Sequence, residues 1–313
     1  MKKFFAARRV LPAVFCALLS AVLPLTSCAA GNSRPGPGDS GGKLKVVASF
    51  YTMYDFCEKI GGDKISLACL TPAGAEPHDW EPSPTDMAAV ENADVFVYHG
   101  GIEFWADRVL SAVRSGRLTV VRASDTAVPD GLGEGDPHVW LAPGLAKTEL
   151  GAIAGAFAAA DPANADFYEA NNAAWAAEFD KLDEAYKDGL FGAAGKTIVV
   201  SHEAFGYLCA AYGLTQEAVE GLSPDSEPSA GRVAQIIDLM ERDGIGTIFY
   251  EELTSSKAVG QIAEATGAEA VVLSPLEGLT QEEVKNGDDY VSVMYRNLEA
   301  LKKAVNYICP PTK

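Results

Sequence analysis

The chain is poor in the residue types and motifs on which many enzyme classes depend. Its 313 residues include four histidines and six cysteines, with no CxxC pair, no HExxH sequence and no glycine-rich phosphate-binding loop. These absences disfavour a cysteine-based zinc site and a zincin-type protease. Basic residues are also scarce, because 25 Lys and Arg stand against 43 Asp and Glu, for a formal charge of −18. A nucleic-acid partner is therefore disfavoured, since phosphates need a basic surface.

The first 27 residues are interpreted as an export signal. Four basic side chains precede an apolar run over residues 10–25, and the sequence LTSC follows, ending at Cys28. The apolar run is short for a membrane span of roughly 20 residues and contains two prolines, which favours a signal peptide over a transmembrane anchor. The LTSC ending resembles the lipobox of bacterial lipoproteins, which implies that Cys28 is lipidated. Residues 28–43 are then a flexible, Gly- and Pro-rich tether.

The remaining cysteines indicate an oxidising compartment. Four of them, Cys57, Cys69, Cys209 and Cys309, lie beyond the signal and its lipidation site. An even number of cysteines in an exported chain favours disulfides. We predict one pair in each half of the chain, 57–69 and 209–309, and four buried free thiols are the alternative.

Strands and helices alternate in both halves of the chain. The predicted strands are 44–50, 65–70, 93–98 and 118–122 in the first half, and 197–201, 214–220, 247–250 and 269–273 in the second. The predicted helices are 51–60, 85–92, 104–115 and 145–160 in the first half, and 203–212, 229–243, 255–266 and 288–306 in the second. This alternation predicts an α/β protein with mainly parallel sheets flanked by helices.

One long helix is predicted between the two halves. Residues 164–190 contain no proline and repeat aromatic and apolar side chains at steps of three and four. Such a helix would be on the order of 40 Å long and could act as a rigid strut, the alternative being a helix packed on one lobe only. The predicted domains are an N-terminal lobe over 44–162, a linker helix over 163–191 and a C-terminal lobe over 192–313.

Three of the four histidines lie in loops between predicted strands and helices. These are His78, His138 and His202, two in the first half and one in the second. Ligands of parallel sheets bind outside the carboxyl ends of the strands, so the three imidazoles could meet in a cleft between lobes. Three imidazoles suit Zn²⁺, with a carboxylate or a water as the fourth ligand. Hydrogen-bonded structural histidines are the alternative, and we predict a structural or ligand-supporting role for His99.

Four segments carry a more specific resemblance. They are TPAGAEPHDWEPSPTD at 71–86, DPHVWL at 136–141, SHEAFGY at 201–207 and VLSPLEGLT at 272–280. Together they resemble the zinc- and manganese-binding solute-binding lipoproteins of bacterial ABC importers, over residues 44–308. The resemblance implies two α/β lobes joined by one rigid helix, with the metal in the cleft between them. It also implies that His78, His138 and His202 are metal ligands.

The resemblance leaves the fourth ligand open. Some members of the family use an aspartate where this chain has Ser274, whereas a subgroup uses the glutamate of Pro-Leu-Glu, which is Glu277 here. Glu76, Glu203 and a water are the alternatives. Manganese-type members replace the third histidine by an acid, so His202 implies one Zn²⁺ per chain rather than Mn²⁺.

The function implied by the resemblance is zinc uptake. A lipid-anchored monomer outside the cytoplasm would capture Zn²⁺ and deliver it to the permease and ATPase of an ABC importer, without being an enzyme. Two other classes remain open. A three-histidine zinc with a bound water could hydrolyse a substrate, with Glu76 or Glu203 as the base. The chain could also be a manganese-binding or adhesin member of the same family.

Overall fold

The structure is a computed structural model that describes residues 42–127, 135–224, 227–255 and 257–306. The predicted signal peptide, Cys28, nearly all of the tether and Cys309 lie outside these ranges. Within the described ranges, no helix is both long enough and apolar enough to span a bilayer.

The first half forms a parallel sheet of four strands in the order β2-β1-β3-β4. The strands are β1 (Leu44–Ala48), β2 (Ile65–Cys69), β3 (Val95–Tyr98) and β4 (Thr119–Arg122). Its helices are α1 (Tyr51–Gly61), α2 (Pro84–Glu91), α3 (Ala106–Ala112) and α4 (Pro143–Ala160). Helices cover both faces of the sheet, because apolar side chains of β1 and β3 enter core clusters on both sides.

The second half repeats this topology, with strand order β6-β5-β7-β8 and parallel pairing throughout. The strands are β5 (Thr197–Val200), β6 (Thr215–Ala218), β7 (Thr247–Tyr250) and β8 (Glu269–Val272). The helices are α6 (Gly206–Tyr212), α7 (Ala230–Asp243), α8 (Lys257–Thr266), α9 (Gln281–Asn286) and α10 (Tyr290–Asn306). The predicted fold of two parallel-sheet lobes flanked by helices is therefore confirmed.

The long helix α5 (Ala165–Gly189) joins the lobes and packs on both of them. Phe179 contacts Phe56 of α1 edge-on and stacks on Tyr290 of α10, with ring centroids 4.9 Å apart in the second pair. The Tyr186 hydroxyl donates to the carbonyl of Met294 at 2.7 Å. The alternative of a helix packed on one lobe only is therefore wrong.

Several predicted helices are too long, and one helix was missed. The helix predicted over 104–115 is limited to Ala106–Ala112, and the one predicted from residue 203 begins at Gly206. The missed helix is α9, although the sequence carries its start signal. Thr280 and Glu283 form a capping box in which each side chain accepts from the backbone N–H of the other residue.

The predicted disulfide 57–69 is absent, because Cys57, Cys69 and Cys209 are free thiols. Cys57 is fully buried in the apolar core. The Cys69 sulfur instead hydrogen-bonds the carbonyl oxygen of Thr71 at 3.2 Å. The pair 209–309 stays a prediction, since Cys309 lies outside the described residues.

Candidate metal centre

The candidate site lies where the carboxyl ends of the two sheets face each other. His78 follows β2 and His138 precedes the 3₁₀ turn Val139–Leu141, so both belong to the first lobe. His202 follows β5, and Glu277 lies between β8 and α9 in the second lobe. Each sheet reverses its strand order beside its first strand, which is the topological position where α/β proteins place ligands.

Four side chains converge there. The metal-binding atoms of His78, His138, His202 and Glu277 all lie within 4.8 Å of one another. The Glu277 Oε1 atom is 3.1 Å from Nε2 of His78, 2.9 Å from Nε2 of His138 and 3.6 Å from Nε2 of His202. The last two imidazoles approach each other at 3.3 Å through their Nε2 atoms.

Four of the six distances between these donor atoms are close to those of a tetrahedral metal site. Zinc bonded to imidazole nitrogen and carboxylate oxygen at about 2.0–2.1 Å sets neighbouring ligand atoms roughly 3.3 Å apart. The closest contacts observed, from 2.9 to 3.6 Å, bracket that value. The side chains of His138 and His202 are fully buried, and those of Glu277 and His78 are 1% and 4% exposed. The four residues therefore form a compact, dry set of three nitrogens and one carboxylate.

Two carboxylates orient the imidazoles of His138 and His202 through their Nδ1 atoms. Asp136 Oδ1 accepts from Nδ1 of His138 at 2.7 Å and from its backbone N–H at 2.9 Å. Glu251 Oε1 accepts from Nδ1 of His202 at 2.6 Å. Because a carboxylate can only accept, the proton on Nδ1 is fixed and Nε2 is aimed at the site.

Sequence reasoning missed the role of both supporting acids. Asp136 lies inside a quoted motif, two residues before a predicted ligand. Glu251 directly follows β7, which is the strand next to β5, so its side chain meets that of His202 at the carboxyl edge of the sheet. The rule that located the histidines therefore also locates Glu251.

The loop that carries Glu277 belongs to the second lobe but is held by the first. The Thr52 hydroxyl donates to the carbonyl of Leu276, and the Trp140 indole N–H donates to the carbonyl of Pro275 at 2.8 Å. Leu276 has φ = 59°, a left-handed conformation that is unusual for a residue with a side chain. Backbone conformations of this kind persist where the surroundings enforce them, so contacts with the first lobe fix the position of Glu277.

Charges within the cluster support one another. Burial opposes ionisation of Glu277, but the three imidazoles outweigh it and hold the pKa of Glu277 well below its usual range. Burial also opposes the charge on His202, yet Glu251 and Glu277 raise the pKa of His202 well above its usual value. Burial likewise opposes the charge on His78, but the hydrogen bond to Glu277 and the charges of Glu277 and Glu76 together raise the pKa of His78. These interactions therefore favour the protonated forms of His78 and His202 and the ionised form of Glu277.

The other candidates lie outside the four-residue cluster. Glu203 is exposed to solvent, and its described hydrogen bond is a backbone one to Gly221. Glu76 is half-buried beside the cluster and accepts from the backbone N–H of His78 at 3.0 Å, while burial and Glu277 raise the pKa of Glu76 to about 8. His99 is fully buried, with Nδ1 2.8 Å from the Gly100 carbonyl and Nε2 2.9 Å from Glu149.

The fold and site together define a two-lobed protein with a buried cluster of three histidines and one glutamate between the lobes that could hold a metal ion. Residues 46–304 match the family described as the zinc-uptake complex component A, periplasmic. The chain belongs to this family.

Individual relatives agree with the family assignment. The high-affinity zinc uptake system protein ZnuA of Bacillus subtilis (strain 168) is 37% identical over 306 residues, which cover 92% of this chain and 96% of the relative. The crystal structure of the Zn(II)-bound ZnuA-like domain of Streptococcus pneumoniae AdcA is 38% identical, with a TM-score of 0.77, covering 85% of this chain and 100% of that domain. This chain spans 60% of the zinc-binding lipoprotein AdcA of S. pneumoniae strain R6, at 35% identity and 92% coverage of its own length.

One similar structure is described as having two activities. The laminin-binding protein Lmb of Streptococcus agalactiae, called a bifunctional protein with adhesin and metal transporting activity, is 33% identical with a TM-score of 0.77. The match covers 84% of this chain and 100% of that structure.

Proposed function

We propose that this chain is an extracytoplasmic zinc-binding lipoprotein that captures Zn²⁺ and delivers it to the permease of an ABC importer. The observation that carries the proposal is the buried set of His78, His138, His202 and Glu277, whose donor atoms all lie within 4.8 Å of one another and are of the types that bind zinc. The names of the relatives support the same cargo.

The donor types favour zinc over manganese or calcium. Imidazole nitrogens suit Zn²⁺, whereas Mn²⁺ and Ca²⁺ prefer sites built mainly from oxygen and higher coordination numbers. Three of the four donors here are nitrogens, and the remaining donor is Glu277. An ion that needs six oxygen ligands finds too few in this cluster.

The fourth donor favours transport over catalysis. A catalytic zinc keeps an open position for water, whereas a site with four protein ligands leaves no activated water. Glu277 lies at 2.9 and 3.1 Å from two of the imidazoles, where the water of a hydrolase would otherwise sit. Of the two bases suggested for a hydrolase, Glu203 is exposed and absent from the cluster, whereas Glu76 lies beside it and accepts from the His78 backbone N–H.

Zinc binding exchanges protons for the metal. In the metal-free protein, Nδ1 of His202 donates to Glu251, while Nε2 is directed towards Glu277 and His138. The imidazole can bind the metal only after Nε2 has lost its proton. Glu277 holds the imidazoles together as a carboxylate before binding and supplies the fourth ligand afterwards. Each captured ion therefore releases protons from the imidazoles.

The site needs little movement to close around the ion. The first lobe already holds the Glu277 loop through Thr52 and Trp140, and the Gly74 N–H donates to the Leu279 carbonyl at 2.9 Å. Helix α5 packs on both lobes and resists hinge bending. We therefore expect binding to proceed by loop adjustments rather than by a large domain closure.

The lipid anchor and the transport partners extend the proposal beyond the site. Cys28 of the LTSC sequence would carry the lipid, and a monomer would dock on the permease through the rims of both lobes. A Cys28→Ser variant would then move from the membrane fraction to the soluble fraction of cells. Recovery of that variant in the membrane fraction would contradict lipid anchoring.

Native mass spectrometry tests the cargo. The protein is titrated with Zn²⁺ and Mn²⁺ together, beside His138→Ala and the exposed-site control Glu264→Gln. We expect one tightly held zinc in the wild type and the control, and loss of that zinc in His138→Ala. Manganese retained in preference to zinc would contradict the proposal.

Laminin binding is a second candidate, favoured by the similarity to Lmb. It can be separated from metal binding by comparing adhesion of wild-type and His138→Ala protein to laminin-coated surfaces. Adhesion that survives in His138→Ala would indicate a surface separate from the metal site, and absence of adhesion in both would remove this candidate.

A further inference from the structure

A narrow pocket opens beside the metal cluster; its empty space of about 270 Å³ includes open solvent, and its interior has room for roughly one water molecule. Its walls come from three segments: Glu76 of the first lobe, residues 251–253 after β7, and the Glu277 loop. Glu283 also lines it, but its carboxylate is used by Thr280 and Arg296. Four further glutamates line the cavity, namely Glu76, Glu251, Glu252 and Glu277. Within the described residues, no basic side chain lines it.

Two of these glutamates have a carboxylate oxygen with no partner in the part of the chain that the structure describes. Glu251 is 3% exposed and uses Oε1 for His202 and Ser201, while its Oε2 receives no hydrogen bond. Glu277 is 1% exposed and likewise leaves Oε2 without a donor. Buried carboxylate oxygens need a cation or a donor, so the unpartnered Oε2 of Glu251 points to a ligand in this cavity.

The solvent exposure of these glutamates decreases from the outer end of the cavity to the metal cluster. Glu252 is exposed, Glu76 is half-buried, and Glu251 and Glu277 are buried. A cation that follows this series loses water stepwise and meets a carboxyl oxygen at each stage. Negative potential in a confined passage also raises the local concentration of cations and their association rate.

The passage is tight at one point. A Cβ built on Gly278 would lie 2.8 Å from the Leu253 side chain and 3.4 Å from the Ala75 carbonyl oxygen. The two lobes therefore approach each other closely here, and Leu253 is the side chain that narrows the route.

The geometry points to a cation passage, in which Glu252, Glu76 and Glu251 lead a divalent ion to and from the metal cluster and Oε2 of Glu251 serves as a transient ligand. This inference rests on the proposed metal-binding function. It assigns to Glu76 a kinetic role in transit rather than a place among the four ligands.

A passage has a kinetic signature that a ligand lacks. Stabilising an ion on the way in also stabilises it on the way out, so the loss of a passage residue slows association and dissociation together. The loss of a residue that only supports the bound state leaves association nearly unchanged and speeds dissociation.

Glu76→Gln is the matched test, because the amide oxygen of glutamine can still accept from the His78 N–H. Glu264→Gln on α8 makes the same substitution at an exposed position that does not line the cavity. Zinc association is followed by stopped-flow mixing with a fluorescent zinc indicator. Dissociation is followed by transfer of zinc to excess chelator, at chelator concentrations where the rate no longer depends on the chelator. In Glu76→Gln we expect both rate constants to fall about three- to tenfold, with a smaller change in Kd.

The outcomes separate the two levels of the proposal. An association rate within twofold of wild type in Glu76→Gln, or a slower association without slower dissociation, would overturn the passage. Leu253→Ala widens the constriction, so it should raise both rate constants, and unchanged rates there would count against the route. Failure of the wild type itself to bind zinc would contradict the proposed function instead.

Discussion

Replacing Glu277 by glutamine is the most informative change to this site. The variant keeps the size of a side chain that is 1% exposed, but it removes the negative charge that the imidazoles surround. Glu277 Oε1 lies 2.9 Å from Nε2 of His138 and 3.1 Å from Nε2 of His78, so it is positioned to complete the metal's tetrahedron. A neutral amide is a much poorer zinc ligand than a carboxylate.

The expected loss follows from the number of ligands. Four-ligand zinc sites in small domains bind with roughly 10–16 kcal/mol at neutral pH, so one of four ligands contributes about 3 kcal/mol. This corresponds to a loss of affinity of roughly 100-fold, since 1.4 kcal/mol is a factor of ten. The assay is competition for Zn²⁺ with a chelating indicator at pH 7.5, with Glu264→Gln as the control and circular dichroism as the test of folding. A folded Glu277→Gln protein that binds zinc within threefold of wild type would refute the four-ligand site.

Three further predictions follow from the contacts around the cluster. Glu251→Gln should weaken zinc binding about 10- to 100-fold in the same competition assay, because it no longer fixes the imidazole of His202 as a carboxylate does; affinity equal to wild type would contradict this role. In the metal-free protein the raised pKa values of His78 and His202 stabilise the fold below about pH 6.5, and this contribution is lost as pH rises through the raised values. Zinc competes with these protons, so the rise in melting temperature caused by zinc should grow from pH 6 to pH 8. Calorimetry in buffers of different ionisation enthalpy should detect the released protons. A zinc-induced shift in melting temperature that does not depend on pH would contradict this competition. Lys59→Met should lower the free energy of unfolding by about 3–5 kcal/mol in denaturant titrations. The reason is that the buried carboxylate of Asp55, which lies 2.9 Å from the Lys59 amine, would lose its cationic partner. A loss below 1 kcal/mol would show that the ion pair is dispensable.

The fold was predictable because its strands are buried on both faces and its turns carry clear signals. Continuous apolar runs such as β3 identify central parallel strands, and the capping box of Ser83 and Asp86 locates the start of α2. The same signals at Thr280 and Glu283 would have located α9. Helix ends were less predictable, since residues 203–205 were included in a predicted helix but form a bend and an irregular stretch before α6.

The cysteine pairing illustrates what sequence alone leaves undetermined. Cys57 and Cys69 lie on adjacent elements of an exported chain, which made a disulfide reasonable. Whether two sulfurs meet depends on the directions of their Cβ atoms, and these follow from packing rather than from spacing. Here the Cys57 side chain packs into the core and the Cys69 sulfur is directed to the Thr71 carbonyl.

The histidine cluster was predictable in kind but not in geometry. Position after strands singled out His78, His138 and His202, and the parallel topology explains why such loops converge. The choice of Glu277 depended on the resemblance to a family, because residues 274–279 carry no strand or helix signal of their own. The structure places Glu277 through hydrogen bonds from the opposite lobe, and contacts between parts so far apart in the chain cannot be read from local sequence.

Zinc-edge anomalous diffraction from crystals of the zinc-loaded protein tests the central claim most directly. We predict one strong peak per chain, within about 2.0–2.2 Å of Nε2 of His78, His138 and His202 and of a carboxylate oxygen of Glu277. A peak bonded to the three imidazoles and a water, with Glu277 turned away, would contradict the closed site and favour a hydrolytic one. A peak elsewhere in the chain would contradict the metal assignment itself.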